Sequence, residues 1–183
     1  MNEEIIFSGF GGQGALFAGQ LLAYSALDSG LHVTWIPSYG PEMRGGTAHC
    51  TVVVSDEPIG SPLVRHPRAV VALNLPSFEK YEPLIKPGGL MVYNESLIPA
   101  QPKRTDICYV AVPANDIADE LGNVRMANVV LLGAYSVATG MMRLETVETA
   151  LDRHLGERQR KYLGANKLAL RRGAEVLLQK EPA

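Results

Sequence analysis

The apolar run Ile5-Ile6-Phe7 lies between Glu3-Glu4 and the glycine-rich Ser8–Gly14, a pattern that predicts a short buried strand over Glu4–Ser8. From Gly14 to Ser29 the positions Ala15, Leu16, Ala18, Gly19, Leu22, Ala23, Ala26 and Leu27 form one small-and-apolar helical face, and Asp28-Ser29-Gly30 supplies a stop. His32–Ile36 is β-branched and aromatic, so a second strand follows. Strand, glycine turn, helix and strand make a Rossmann-like βαβ start, and its crossover implies a parallel sheet.

The next stretch, Pro37–Gly46, is too rich in Gly and Pro for a regular element. Strands are predicted at Thr47–Ser55, Ala69–Leu73, Leu90–Tyr93 and Asp106–Val112, with helices at Pro76–Ile85 and Asn115–Leu121. Met126–Thr139 is nearly all apolar or small, which predicts a helix buried on most sides and ended by Gly140. Glu145–Leu155 is amphipathic, and Lys161–Lys180 reads as a charged terminal helix. There is no linker, repeat or low-complexity segment. The expectation is one three-layer α/β domain over residues 1–183, with a mainly parallel sheet and a helical C-terminal part.

Composition narrows the function. At 46% hydrophobic and 20% charged residues, with a net charge of −2, the chain has no overall drive toward nucleic acid or an anionic membrane. Glu3 and Glu4 stand where a secretory leader would be positive, and no apolar run is long enough to span a bilayer. Cys50 and Cys108 are the only cysteines, too few for an iron–sulfur cluster and not spaced as a zinc half-site. These features favour a reduced, cytoplasmic protein. His49 and Cys50 alternate along one strand and so face opposite sides, and the other histidines lie in unrelated settings; no metal site is expected. No serine sits in a G-x-S-x-G elbow, and no catalytic residue is assigned.

Candidate chemistry lies in two loops. Gly9, Gly11 and Gly14 spell G-x-G-x-x-G, where bare N–H groups at a helix start hold an anion. A dinucleotide fold also wants an acidic residue at the end of the second strand; here that strand ends Trp35-Ile36-Pro37-Ser38. Three readings stand: a dinucleotide site, a purely structural tight turn, or the edge of another phosphate or cofactor site. Gln13 either orients a ligand or partner backbone or caps its own helix. The second loop, Tyr39–Gly46, leaves the sheet on the same edge and brings Tyr39, Glu42 and Arg44; the last two pair with each other or clamp a phosphate or carboxylate. The basic run from Arg158 to Arg172 is a solvated helix face or a dock for an acidic partner. Asn128, among apolar neighbours, reads as core.

GFGGQG (Gly9–Gly14), SYGPEMRGG (Ser38–Gly46), SDEPIGSP (Ser55–Pro62), KPGG (Lys86–Gly89) and the helix segment Asn128–Ala134 occur in this order. The chain thereby resembles the gamma subunit, or gamma domain, of 2-oxoacid:ferredoxin oxidoreductases, from Ile5 to about Gly140. Within that family it is most similar to the 2-oxoglutarate and 2-oxoisovalerate enzymes, with 2-oxoglutarate preferred.

The resemblance implies a subunit of an enzyme that decarboxylates a 2-oxoacid oxidatively to its acyl-coenzyme A, with ferredoxin as electron acceptor. Thiamine diphosphate, Mg2+ and the iron–sulfur clusters then reside on alpha, beta and delta partners, and ferredoxin is met only through them. This chain would bind none of these alone and be inactive by itself. Its contribution would be packing against the thiamine-bearing subunits and shaping the path of coenzyme A, the co-substrate. The residues placed at that function are Gly9, Gly11, Gly12, Gln13, Gly14, Tyr39, Gly40, Glu42, Arg44, Gly45 and Gly46. Two other readings stand beside it: a stand-alone nucleotide- or flavin-binding oxidoreductase, and a non-catalytic scaffold of the same fold.

Overall fold

The computed structural model describes residues 1–39, 46–99 and 102–179. In it the apolar run around Ile5 becomes a central strand, β1 (Asn2–Phe10), followed by α1 (Ala15–Asp28), β2 (His32–Tyr39) and β3 (Thr47–Ser55). Then come β4 (Ala69–Ala72), α2 (Leu75–Tyr81), β5 (Leu90–Asn94), β6 (Cys108–Val112) and α3 (Ala114–Glu120). The chain closes with α4 (Ala127–Thr139), α5 (Leu144–His154) and α6 (Leu163–Leu178).

One six-stranded sheet runs in the order β2-β3-β1-β4-β5-β6. Pairing is parallel from β1 through β4 and β5 to β6. β3 is antiparallel to both of its neighbours, β1 and β2. The opening βαβ unit therefore exists with a modification. β1 and β2 point the same way, as the crossover requires, but β3 is inserted between them, so that Val52 faces Ile5 on one side and Trp35 on the other. The parallel half is buried on both faces, which is why β4 reads as the unbroken run AVVA.

Helices cover the two faces unequally. Ile5, Phe7, Val52, Val71 and Val92 point into the larger core, with α1 and α3 to α6. Ile6, Val70, Met91 and Tyr93 meet α2 on the other face, where Phe78 and Tyr81 are buried.

Two boundaries differ from the sequence reading for identifiable reasons. The helix expected over Pro76–Ile85 gives way after Tyr81 to a 3-10 turn, Glu82–Leu84. Pro83 has no N–H to donate and its ring crowds the preceding turn. β2 runs past Ile36 through Pro37 to Tyr39, which is possible because it is an edge strand.

α5 and α6 are clasped by Arg171, whose Nε and Nη2 donate to the two oxygens of Glu148 at 2.6 and 2.8 Å. Those hydrogen bonds hold the Glu148 carboxyl below its ordinary 4.5, with burial opposing them. As pH falls through 4.5 the unfolded chain takes up this proton first. The clasp's contribution is therefore complete above 4.5 and is lost as pH drops through the lower folded-state value. Glu148→Gln should cost about 0.5–1 kcal/mol at neutral pH, since Arg171 is largely exposed. In urea titrations at successively lower pH, the gap to the parent protein should close through that acid window.

Candidate functional site

The carboxyl ends of β1 and β4 are neighbours, yet the chain leaves β1 toward one edge of the sheet and β4 toward the other. Such a divergence opens a crevice where α/β sheets commonly seat ligands. The glycine turn lies over it. Gln13 N donates to the Phe10 carbonyl at 3.0 Å, closing the turn, and Phe10 N donates to Gln13 Oε1 at 2.7 Å. Asn74 Nδ2 donates to the same oxygen at 2.9 Å, and Gln13 Nε2 points to the Leu73 carbonyl at 3.5 Å.

The Gln13 amide thus spans the crevice and ties the β1–α1 turn to the end of β4. It neither caps α1 nor stands free for a ligand. Gly9 makes this possible, because a Cβ there would sit 2.8 Å from Gln13 Oε1.

The other glycines have separate duties. Gly12 (φ 98°) and Gly14 (φ 81°) adopt the left-handed conformation that side chains disfavour. A Cβ on Gly12 would meet open space, so this position is the exposed tip of the turn. Gly14 is pressed against Asn128 of α4, whose Nδ2 donates to the Gly14 carbonyl at 2.9 Å. Gly14 is also the N-cap of α1, which has no side-chain cap and no acid in its first turn. The positive end of α1 is therefore not countered by a local carboxylate.

The expectation that the two loops are neighbours is met at their described ends. Gly11 N donates to the Gly46 carbonyl at 2.8 Å. Phe10 pairs with Thr47, and Tyr39 pairs with Ala48, so these two aromatics flank the start of β3. Phe10 is 37% and Tyr39 61% exposed, an apolar rim beside the glycine turn. Gly40, Glu42, Arg44 and Gly45 lie outside the described residues. His49 lies farther along β3, opposite Ser38 and Ser8. Burial, and secondarily the Lys80 ammonium, push its pKa below 6.5, so it is neutral at pH 7.

A set of asparagines beyond the sequence reading completes the edge. Asn74 Oδ1 accepts from Ser77 N at 2.9 Å and caps α2. Asn94 Nδ2 reaches the Leu73 carbonyl at 3.4 Å and Asn115 Oδ1 at 2.8 Å. Asn115 and Asn94, with Gly12, Gln13 and Arg125, line a cavity of about 170 Å3. The signal was present: Asn74 and Asn94 each follow an apolar strand on the carboxyl edge.

The described residues do not fit a cluster or a metal. Cys50 in β3 is buried under α1, and burial pushes its thiol up to about 12. Cys108 opens β6, with β1, β4 and β5 lying between the two strands. No group of three His, Cys, Asp or Glu converges among the described residues. Among them, too, no helix is long and apolar enough to cross a membrane.

Residues 4–176 match the family model described as pyruvate ferredoxin/flavodoxin oxidoreductase. Ketoisovalerate oxidoreductase subunit VorA of Methanothermobacter marburgensis is 41% identical over 142 residues, covering 78% of this chain. The match takes in only 29% of VorA, so this chain spans under a third of that relative's length. 2-Oxoglutarate synthase subunit KorC of Methanocaldococcus jannaschii is 38% identical over 154 residues, 82% of each chain. Among solved structures, the gamma subunit of a keto/oxoacid ferredoxin oxidoreductase from Geobacter sulfurreducens superposes with a TM-score of 0.82. That likeness has 31% identity and covers 97% of this chain and 99% of the other. With a family model covering nearly its whole length, and the glycine turn and sheet edge arranged as described, this chain belongs to the pyruvate ferredoxin/flavodoxin oxidoreductase family.

Proposed function

We propose that this chain is the gamma subunit of a cytoplasmic 2-oxoacid:ferredoxin oxidoreductase, forming a single domain over residues 1–183 and inactive by itself. The observation that carries the reading is the Gly11–Gly46 hydrogen bond, which joins the glycine turn to the described end of the second loop beside an uncapped helix start. By its chemistry the arginine at position 44 of the second loop suits the phosphates of coenzyme A, as do the N–H groups of the glycine turn. The exposed rings of Phe10 and Tyr39 suit a protein interface with the alpha and beta subunits, or the delta subunit, that carry thiamine diphosphate, Mg2+ and the clusters. When bound there, those groups supply decarboxylation and single-electron transfer toward ferredoxin. This chain's residues hold and orient the co-substrate and exclude water from the junction.

2-Oxoglutarate is the preferred substrate over 2-oxoisovalerate. Relatives carry both names, KorC for the first and VorA for the second. The stand-alone dinucleotide reading is disfavoured by the Gln13 side chain across the crevice and by the lack of an acid at the end of β2.

The test is to tag the chain in its host, purify it anaerobically and identify what accompanies it. Viologen reduction is then measured with 2-oxoglutarate, 2-oxoisovalerate and pyruvate, with and without coenzyme A. Partner subunits and coenzyme A-dependent activity are the expected result; a solitary chain sinks the proposal. In the assembled enzyme, Arg44→Ala should raise KM for coenzyme A about tenfold, the order expected for one charge-assisted phosphate contact. An unchanged KM with weakened assembly would mean that the loop serves subunit contact alone.

A further inference from the structure

On the α2 side of the sheet the cover is incomplete. α2 lies over Ile6, Val70 and Met91, with Phe78 and Tyr81 buried against them. Beyond Tyr81 the same face continues across β3 and β2 as His49, Thr51, Thr34, Ile36 and Ser38. None of these five is fully buried, and Ile36 is 39% exposed. The opposite face of the two strands is closed, with Cys50, Val52 and Val54 in the main core.

β2 is also an edge of the sheet, eight residues long and without one Asp, Glu, Lys or Arg. Edge strands are ordinarily guarded by charge, by shortness or by a cover, and here Pro37 blunts a single position. A long uncharged edge beside an open sheet face is a surface for another chain.

Charge defines that chain. His49 stands between Ser8 of β1 and Ser38 of β2, with its ring 5.9 Å from that of Tyr81. The Lys80 ammonium lies over the same Tyr81 ring, 4.9 Å from its centre. Two basic groups thus share one aromatic platform at the margin of the open face. Among the described residues Lys80 makes no ion pair and His49 no hydrogen bond. β1 and β2 present only the hydroxyls of Ser8 and Ser38 to the imidazole, and α2 presents the Lys80 ammonium and the Tyr81 phenol. An ammonium beside a neutral imidazole, with no counter-ion, is complementary to a carboxylate.

We propose that the β2–β3 face is a docking surface for an acidic segment of a partner chain, with Lys80, His49 and Ser38 receiving one of its carboxylates and Ile36 and Thr51 packing beneath it. This face is turned away from Tyr39, which alternates to the other side of β2. The assignment stands on this chain's own residues; the enzyme reading above supplies only the identity of the partner. A docked carboxylate favours the imidazolium, so binding takes up a proton at His49 and weakens as pH rises.

The purified full-length chain is titrated with a capped peptide of alternating threonine and glutamate, with its glutamine counterpart, and with glutarate. Binding is followed by NMR at the histidine ring protons, the His49 signals being those absent from His49→Asn. The glutamate peptide should move these signals and bind about three- to fivefold tighter at pH 5.5 than at pH 8, its carboxylates being ionised throughout. Lys80→Met should weaken it about fivefold at both pH values, the upper range for an exposed ion pair, and His49→Asn should abolish the pH dependence. Circular dichroism melts confirm that both variants are folded. In the host, p-benzoylphenylalanine placed at position 36 should crosslink to an acidic stretch of another chain. A chain that is solitary in its host would sink the enzyme reading, while the peptide titration still decides the site. Four results overturn the proposal: equal binding of the glutamine peptide, glutarate binding as tight as that of the glutamate peptide, a pH dependence that survives in folded His49→Asn, or a crosslink between two copies of this chain.

Discussion

Gly173→Ala should lower stability by about 3 kcal/mol, although alanine is the better helix former by about 1 kcal/mol. The reason is the crossing of α4 and α6. A Cβ on Gly173 would collide with the backbone carbonyl of Val130, and one on Gly133 would collide with the carbonyl of Leu170. The two glycines thus serve each other's helix in a reciprocal close approach. The obstacle is backbone in both cases, so no side-chain rotation relieves it. Separating the helices would open the core around Leu131, Leu132 and Leu170, all fully buried. For a chain of this size the change corresponds to a fall in melting temperature of roughly 6–12 °C. Gly164, in the first turn of α6, has open space where its Cβ would stand, and Gly164→Ala should stabilise by about 0.5 kcal/mol. Opposite signs for two glycines of one helix would isolate the crossing as the cause; a stabilising Gly173→Ala would refute it.

The second large effect is expected at Gln13. Gln13→Leu removes the acceptor of the Phe10 N–H and of the Asn74 amide, and the donor to the Leu73 carbonyl. Leu73 O still has Asn94, but the two donors are left without a partner inside the turn. The cost is about 2–3 kcal/mol, the range for stranding hydrogen-bonding groups at a partly buried site. Because Gln13 is, among the described residues, the one side chain of the β1–α1 turn that bridges the crevice, the consequence is also local. Hydrogen exchange at the Phe10 amide should rise by far more than exchange at Ile5 in mid-strand. Uniform acceleration across β1 would instead mean that Gln13 contributes only global stability.

The sequence made most elements legible because their periodicity is strong. β3 is legible at Thr47–Ser55, as it is observed, and Gly140 ends α4 as expected, there in a left-handed conformation. What periodicity does not encode is strand direction. An apolar alternation is the same for a parallel and an antiparallel partner, so the insertion of β3 between β1 and β2 could not be read from it. The same limit applied at the site. The glycines announced a turn and its neighbour loop, but the purpose of Gln13 depends on Asn74, 61 residues away. Asn128 looked like a core residue and is buried as such, yet it holds Gly14 across 114 residues. Pairings at that range are properties of topology, invisible to a local window.

The inserted strand also sets an order of events on the ribosome. β3 has both of its partners behind it in the chain, so by residue 55 the β2-β3-β1 half of the sheet can close all its internal pairings with α1 in place. β4 then adds beside β1, and β5 and β6 each add to the strand before them, extending outward from β1. The apolar face that α4 and α6 finally cover must wait for residues 127–178. At roughly 5–20 residues per second, that face stays uncovered for several seconds of synthesis. The nascent chain therefore emerges with a closed three-strand nucleus and a sticky flank, a combination suited to capture by a chaperone before its last helices arrive.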